Sequence, residues 1–143
     1  MPHIVILYTP NLDAETDMSG LCSRLASTLL TVKDEEGKQV FPTGGVRVLA
    51  YPASHFAIAD GGAAGRAAGG SGDYGFIYIN LRMGRNRSDA VKQQTGQALN
   101  EAAMKHLQPL LDKQPVGVTL QIDEGAEVFD SKNSTLHPLF KDT

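Results

Sequence analysis

The chain has 143 residues, a net charge of −3, 41% hydrophobic and 20% charged residues, which is one globular domain's worth of protein and not a disordered chain. The acidic balance argues against nucleic acid as a partner, and a single cysteine, Cys22, excludes an internal disulfide and a cysteine-built zinc site. No apolar run reaches the length of a membrane span, and Met1-Pro2-His3-Ile4 has no basic lead into an apolar stretch, so the expectation is a cytoplasmic protein without a membrane partner.

Ile4 to Tyr8 is a short β-branched run that reads as a buried strand, ended by Pro10-Asn11. Asp13 to Asp17 supply acidic helix-start signals, and Leu21, Leu25, Thr28 and Leu29 then recur at helical spacing, with Cys22 as a small core residue beside them. The helix fades by Lys33 into the solvated loop 34–38, and Val46 to Tyr51 forms a second strand closed by Pro52. Residues 60–72 are ten parts in thirteen Gly or Ala and read as a flexible loop. They are not a phosphate cradle, because no Gly-Lys-Ser/Thr follows and the next element is a strand.

Tyr74 to Leu81 reads as that third strand, and Met83 to Arg87 as a turn. Ser88 is an N-cap residue with Asp89 in the first turn, opening a long helix through Leu110 that Gln114-Pro115 stops. Val116 to Ile122 alternates as a fourth strand, and His137 to Phe140 form a last packed turn. The order is strand–helix–strand twice, about 1–59 and 73–125, joined by loop 60–72 and followed by tail 126–143. Each half forces a parallel strand pair through a right-handed crossover. The expected fold is α+β: one four-stranded sheet with two helices on one face. Its other face has no helix left to cover it, which points to self-association.

No Ser-His-Asp spacing, paired-histidine metal motif or nucleotide fingerprint occurs, and His106 reads as a solvated or capping residue. Pro2 stands out because Met-Pro is a sequence that an aminopeptidase trims. Trimming would leave a secondary amine anchored at the head of a strand. An α-amino group titrates near ~7.7–8.0, and apolar walls and nearby cations lower that value. A neutral, rigid amine meets the needs of a general base. Arg47 interrupts an apolar strand and Arg87 immediately precedes the Ser88 cap; both suit a substrate carboxylate. A residue on the wetter sheet face and a solvated turn residue are the plainer readings of the two.

Met1-Pro2-His3, Asp17 with Gly20-Leu21, Phe41-Pro42 with Gly45-Val46-Arg47, Ala59-Asp60-Gly61 and Asp73-Tyr74 come in an order that resembles the tautomerase superfamily. So do Gly84 with Arg87-Ser88, Gln93-Gln94 with Gly96, and the tail His137, Leu139-Phe140-Lys141. Within it, the chain is most similar to the two-unit 5-carboxymethyl-2-hydroxymuconate isomerase family, over nearly its whole length. The resemblance implies a homotrimer with sheets packed around a central axis, and a cofactor-free, metal-free isomerase. It also implies that Pro2 shuttles a proton between carbons of an unsaturated hydroxy or oxo di- or tricarboxylate, that Arg47 and Arg87 bind the carboxylates, and that the enzyme serves homoprotocatechuate breakdown. Loop 60–72 is longer than the family's, and Asp13 stands where the family leads one to expect a basic residue. A sister hydratase, dehalogenase or decarboxylase drawing on Asp13 or Glu15, a keto-enol tautomerase, and a non-enzymatic trimeric binding protein are the alternatives.

Overall fold

A computed structural model describes residues 2–140. Strand β1 (His3–Tyr8) leads through a 3-10 turn to helix α1 (Met18–Thr31), then to a second 3-10 turn at Thr43–Gly45 and strand β2 (Arg47–Pro52). A short helix α2 (Ala63–Ala67) precedes strand β3 (Gly75–Gly84), helix α3 (Asp89–Leu111), strand β4 (Val116–Gly125) and a final 3-10 turn, His137–Phe140. The sheet order is β2-β1-β3-β4. β1–β2 and β3–β4 are parallel, as the two crossovers require, and the halves join through an antiparallel β1–β3 pair.

Both long helices start on side-chain caps. The Asp17 carboxylate accepts from the Gly20 amide at 2.9 Å, and the Ser88 hydroxyl accepts from the Val91 amide at 3.2 Å. Pro109 is accommodated in the last turn of α3. The helices lay Leu21, Leu25, Leu29, Leu99, Ala103 and Leu107 against one sheet face, which supplies Ile4, Ile6, Ile77, Ile79 and Leu81 from alternate strand positions. Cys22 packs at the edge of this core, where burial, with Asp17 adding to it, pushes its thiol pKa up.

Three elements differ from the sequence expectation. Residues 60–72 contain α2: Asp60 accepts from the amides of Gly62 and Ala64, and the Tyr74 hydroxyl accepts from the Gly65 amide. Gly62 (φ 102°) and Gly72 (φ 81°) close the loop at a point where a Cβ on Gly62 would collide with the Gly72 carbonyl oxygen. β3 continues to Gly84 and β4 to Gly125, because their ends pair with each other beyond the apolar stretches that mark them in the sequence.

The opposite sheet face carries Leu7, Leu49 and Tyr51, 45%, 51% and 49% exposed, and among the described residues neither long helix lies on it. An apolar cleft of about 250 Å³, lined in part by Leu7, Phe56, Phe76 and Tyr78, opens at its far end. Among the described residues, no helix is long and apolar enough to cross a membrane.

Candidate active site

Pro2 is buried and precedes β1 at one end of the sheet. Met1, whose removal would free its nitrogen, and Lys141 lie outside the described residues. The β1–β2 register sets His3 opposite Arg47, so Arg47 enters the sheet beside the residue that follows Pro2. Arg87 comes to the same end of the fold from the other half, between the end of β3 and the start of α3.

The two arginines are held alike. Arg47 Nη1 donates to the Gly44 carbonyl at 3.1 Å, and Arg87 Nη1 donates to the Gly84 carbonyl at 3.1 Å. In both cases the guanidinium folds back over a turn onto the backbone three residues earlier. The repeated Gly-x-x-Arg spacing is visible in the sequence and is the signal that would have found this arrangement. A guanidinium carries five N–H donors, so one backbone bond orients the fork and leaves donors for a carboxylate.

Arg87 also lies over the fully buried ring of Phe41, its Cζ 4.9 Å from the centroid. Burial lowers its pKa, and the charge of Glu124 acts in the other direction. Glu124 itself is taken by Lys92, with Nζ 2.9 Å from Oε1. Among the described residues neither Arg47 nor Arg87 forms an ion pair with a carboxylate. Each guanidinium thus keeps donors that no carboxylate of the described residues occupies.

His3 lies opposite Arg47 across β1 and β2. Its pKa is lowered, first by burial and then by Arg47, with Asp130 of the tail opposing. The tail turn closes the same end of the molecule: a Cβ on Gly44 would stand 2.9 Å from His137 Nδ1 and 3.2 Å from Phe140 Cδ2. Ser88, besides capping α3, donates to Glu35 Oε1 at 2.8 Å and ties the loop after α1 to this end.

Other candidate residues fall elsewhere. Asp13 follows β1 at the end opposite Pro2, roughly 20 Å away for a strand of this length, and accepts from the Tyr8 hydroxyl at 2.7 Å. Glu15 pairs there with Lys113. The altered charge at Asp13 therefore does not sit beside Pro2 in the same chain. His106 Nε2 is 2.8 Å from the Asp17 carbonyl oxygen, so it ties α3 to the cap of α1, in line with the capping expectation. Among the described residues, no group of three or more His, Cys, Asp or Glu side chains could hold a metal ion.

The chain and its fold have close counterparts. A model of the 5-carboxymethyl-2-hydroxymuconate isomerase family matches residues 2–140. The chain belongs to that family. A crystal structure of a 5-carboxymethyl-2-hydroxymuconate delta-isomerase is 61% identical, with a TM-score of 0.96 over 100% of this chain and 95% of that one. The Deinococcus radiodurans R1 5-carboxymethyl-2-hydroxymuconate isomerase is 28% identical, with a TM-score of 0.78 over 97% and 93% of the two chains. The Escherichia coli 5-carboxymethyl-2-hydroxymuconate Delta-isomerase is 26% identical over 99% of this chain and 100% of its own. The protein is thus an enzyme of the isomerase class, with the α+β architecture expected of a tautomerase-like chain.

Proposed function

We propose that this isomerase acts on 5-carboxymethyl-2-hydroxymuconate without a cofactor, in cytoplasmic homoprotocatechuate degradation, with Pro2 as base and then acid. The observation that carries the reading is the pair of oriented arginines without carboxylate partners, one from each half of the chain, at the end of the sheet where buried Pro2 sits. A 2-hydroxymuconate is a dienol. Its 2-oxo tautomers share one dienolate, with negative charge spread over the C2 oxygen, C3 and C5. Taking a proton from the 2-hydroxyl of the dienol, or from C3 of its 2-oxo-4-ene tautomer, and delivering it to C5 gives the 2-oxo-3-ene with no net change in protons.

Arg47 and Arg87 serve this step three ways. They fix carboxylates, which turns proton transfer into a positioned event. They stabilise the dienolate as it forms. Together with burial, they disfavour a protonated Pro2. A single base is sufficient because the same nitrogen that accepts the proton is placed to return it.

The assembly proposed is a homotrimer. It would cover Leu7, Leu49, Tyr51 and the apolar cleft, which a lone chain leaves wet. A hydratase or dehalogenase reading would draw on Asp13 or Glu15 as water activators, and both are engaged at the other end of β1.

The test is Pro2→Ala with Met1 shown by intact mass to be removed in both proteins. Loss of a general base costs ~10²–10⁴ in rate, so kcat should fall at least a hundredfold. A variant within a few-fold of the parent overturns the proline mechanism.

A further inference from the structure

The substrate proposed above carries three carboxylates, the two of muconate and that of the carboxymethyl branch, whereas the site so far supplies two arginines. The sheet register points to a third. His3 stands opposite Arg47 on β2 and opposite Arg82 on β3, and Arg82 in turn stands opposite Asp123 on β4. Directly opposed residues project from the same face, so Arg47, His3, Arg82 and Asp123 form one row across the uncovered face, beside Pro2. With strands ~4.8 Å apart, the Cα atoms of Arg47 and Arg82 are about 10 Å apart, a gap that their long side chains can span from both sides.

Asp123 would be the obvious partner of Arg82, yet it does not neutralise it. Asn80 Nδ2 donates to Asp123 Oδ2 at 2.9 Å instead. Arg82 is exposed, and its side chain makes no hydrogen bond or ion pair within the described residues. Its guanidinium rests over Gly125, where a Cβ would lie 2.5 Å from Nη2 and 3.1 Å from Cζ. The missing side chain at Gly125 thus gives the guanidinium its place. His3 does not supply the third charge, because burial and Arg47 both favour its neutral form.

We propose that Arg82 is a specificity-determining residue that binds the carboxymethyl carboxylate, the substrate's third, from the same cross-sheet row as Arg47. The inference rests on the functional reading above. It divides the labour: Arg47 and Arg87 hold the reacting diacid, and Arg82 distinguishes a branched tricarboxylate from an unbranched dicarboxylate.

The experiment compares parent, Arg82→Gln, Arg82→Lys and Arg85→Gln on 5-carboxymethyl-2-hydroxymuconate and on 2-hydroxymuconate, which lacks the branch. Removing one charge-assisted contact should raise KM for the branched substrate roughly tenfold or more in Arg82→Gln, with kcat within threefold. KM for 2-hydroxymuconate should not change. Arg82→Lys should recover part of the loss, and Arg85→Gln should match the parent. Equal losses on both substrates, no loss on either, a loss confined to Arg85→Gln, or a changed oligomeric mass in Arg82→Gln would each overturn the assignment while leaving the proline mechanism intact. A parent that turns over neither substrate would remove the functional reading, and the role of Arg82 with it.

Discussion

Replacing Arg87 by Met separates binding from folding more cleanly than any other change at this site. Met fills a similar volume over Phe41 and removes the charge. The folded state loses the 3.1 Å bond to the Gly84 carbonyl and the stacking over Phe41. The first is worth ~1.5–3 kcal/mol for a charged donor and the second ~0.5–2 kcal/mol. Against these stands the removal of a half-buried charge that Glu124 offsets only in part and without an ion pair, a cost of several kcal/mol per ion for full burial and less here. The relief partly cancels the loss, so the net effect on stability is a destabilisation of about 3 kcal/mol or less. A domain with ~5–15 kcal/mol of stability remains folded after such a change. Catalysis has no such compensation. Losing a charge-assisted contact to a substrate carboxylate costs ~1.5–3 kcal/mol, or roughly 10- to 150-fold in kcat/KM. Steady-state kinetics on 5-carboxymethyl-2-hydroxymuconate, beside thermal unfolding, reads both quantities. A kcat/KM within threefold of the parent would refute the role of Arg87, and so would a fall in activity matched by wholesale unfolding.

Ser88→Ala removes the α3 cap and the bond to Glu35 together, and should cost ~1–2 kcal/mol in urea unfolding, with the slope of the transition unchanged. Gly44→Ala would push a Cβ against His137 and Phe140, so the tail turn should lift and become cleavable under limited proteolysis that spares the parent. Tyr8 is buried, and burial together with the bond to Asp13 raises its pKa to about 12. An unfolded tyrosine ionises near ~10, so the unfolded state loses the proton first. The Tyr8 contribution to stability is then complete below pH ~10 and is lost as pH rises towards 12. Tyr8→Phe should flatten the alkaline fall in stability over that window; an unchanged profile would assign the fall to other groups.

The architecture was largely legible because two features of the chain are local. The β-branched run of β1 and the Leu21–Leu25–Leu29 spacing of α1 each declare their period, and a strand–helix–strand order leaves only a parallel pair. The antiparallel β1–β3 junction was not legible, because nothing local specifies which strands of two finished units will meet. Residues 60–72 misled for a different reason: glycine and alanine look alike as loop formers, but Asp60 and Tyr74 fasten the segment into a helical turn. At the proposed site, Pro2, Arg47 and Arg87 were singled out by their unusual neighbours in sequence. Phe41 beneath Arg87, and Arg82 in the row with Arg47, depend on tertiary placement and on register, and a one-residue slip in β3 would have put Arg82 on the helix side. Asp13 looked like a change to the pocket because it follows β1 in sequence, whereas it lies a full strand's length from Pro2.

The proposed chemistry requires that the Pro2 nitrogen, once Met1 is removed, is uncharged at neutral pH. Titrating ¹⁵N-labelled Pro2 by NMR in the Met1-trimmed enzyme, alongside the pH dependence of kcat/KM, addresses it without a substitution. A Pro2 transition below pH 7, coinciding with the rising limb of kcat/KM, is the result this account requires. A Pro2 amine that titrates at or above ~8, or whose transition leaves the rate unaffected, would contradict it.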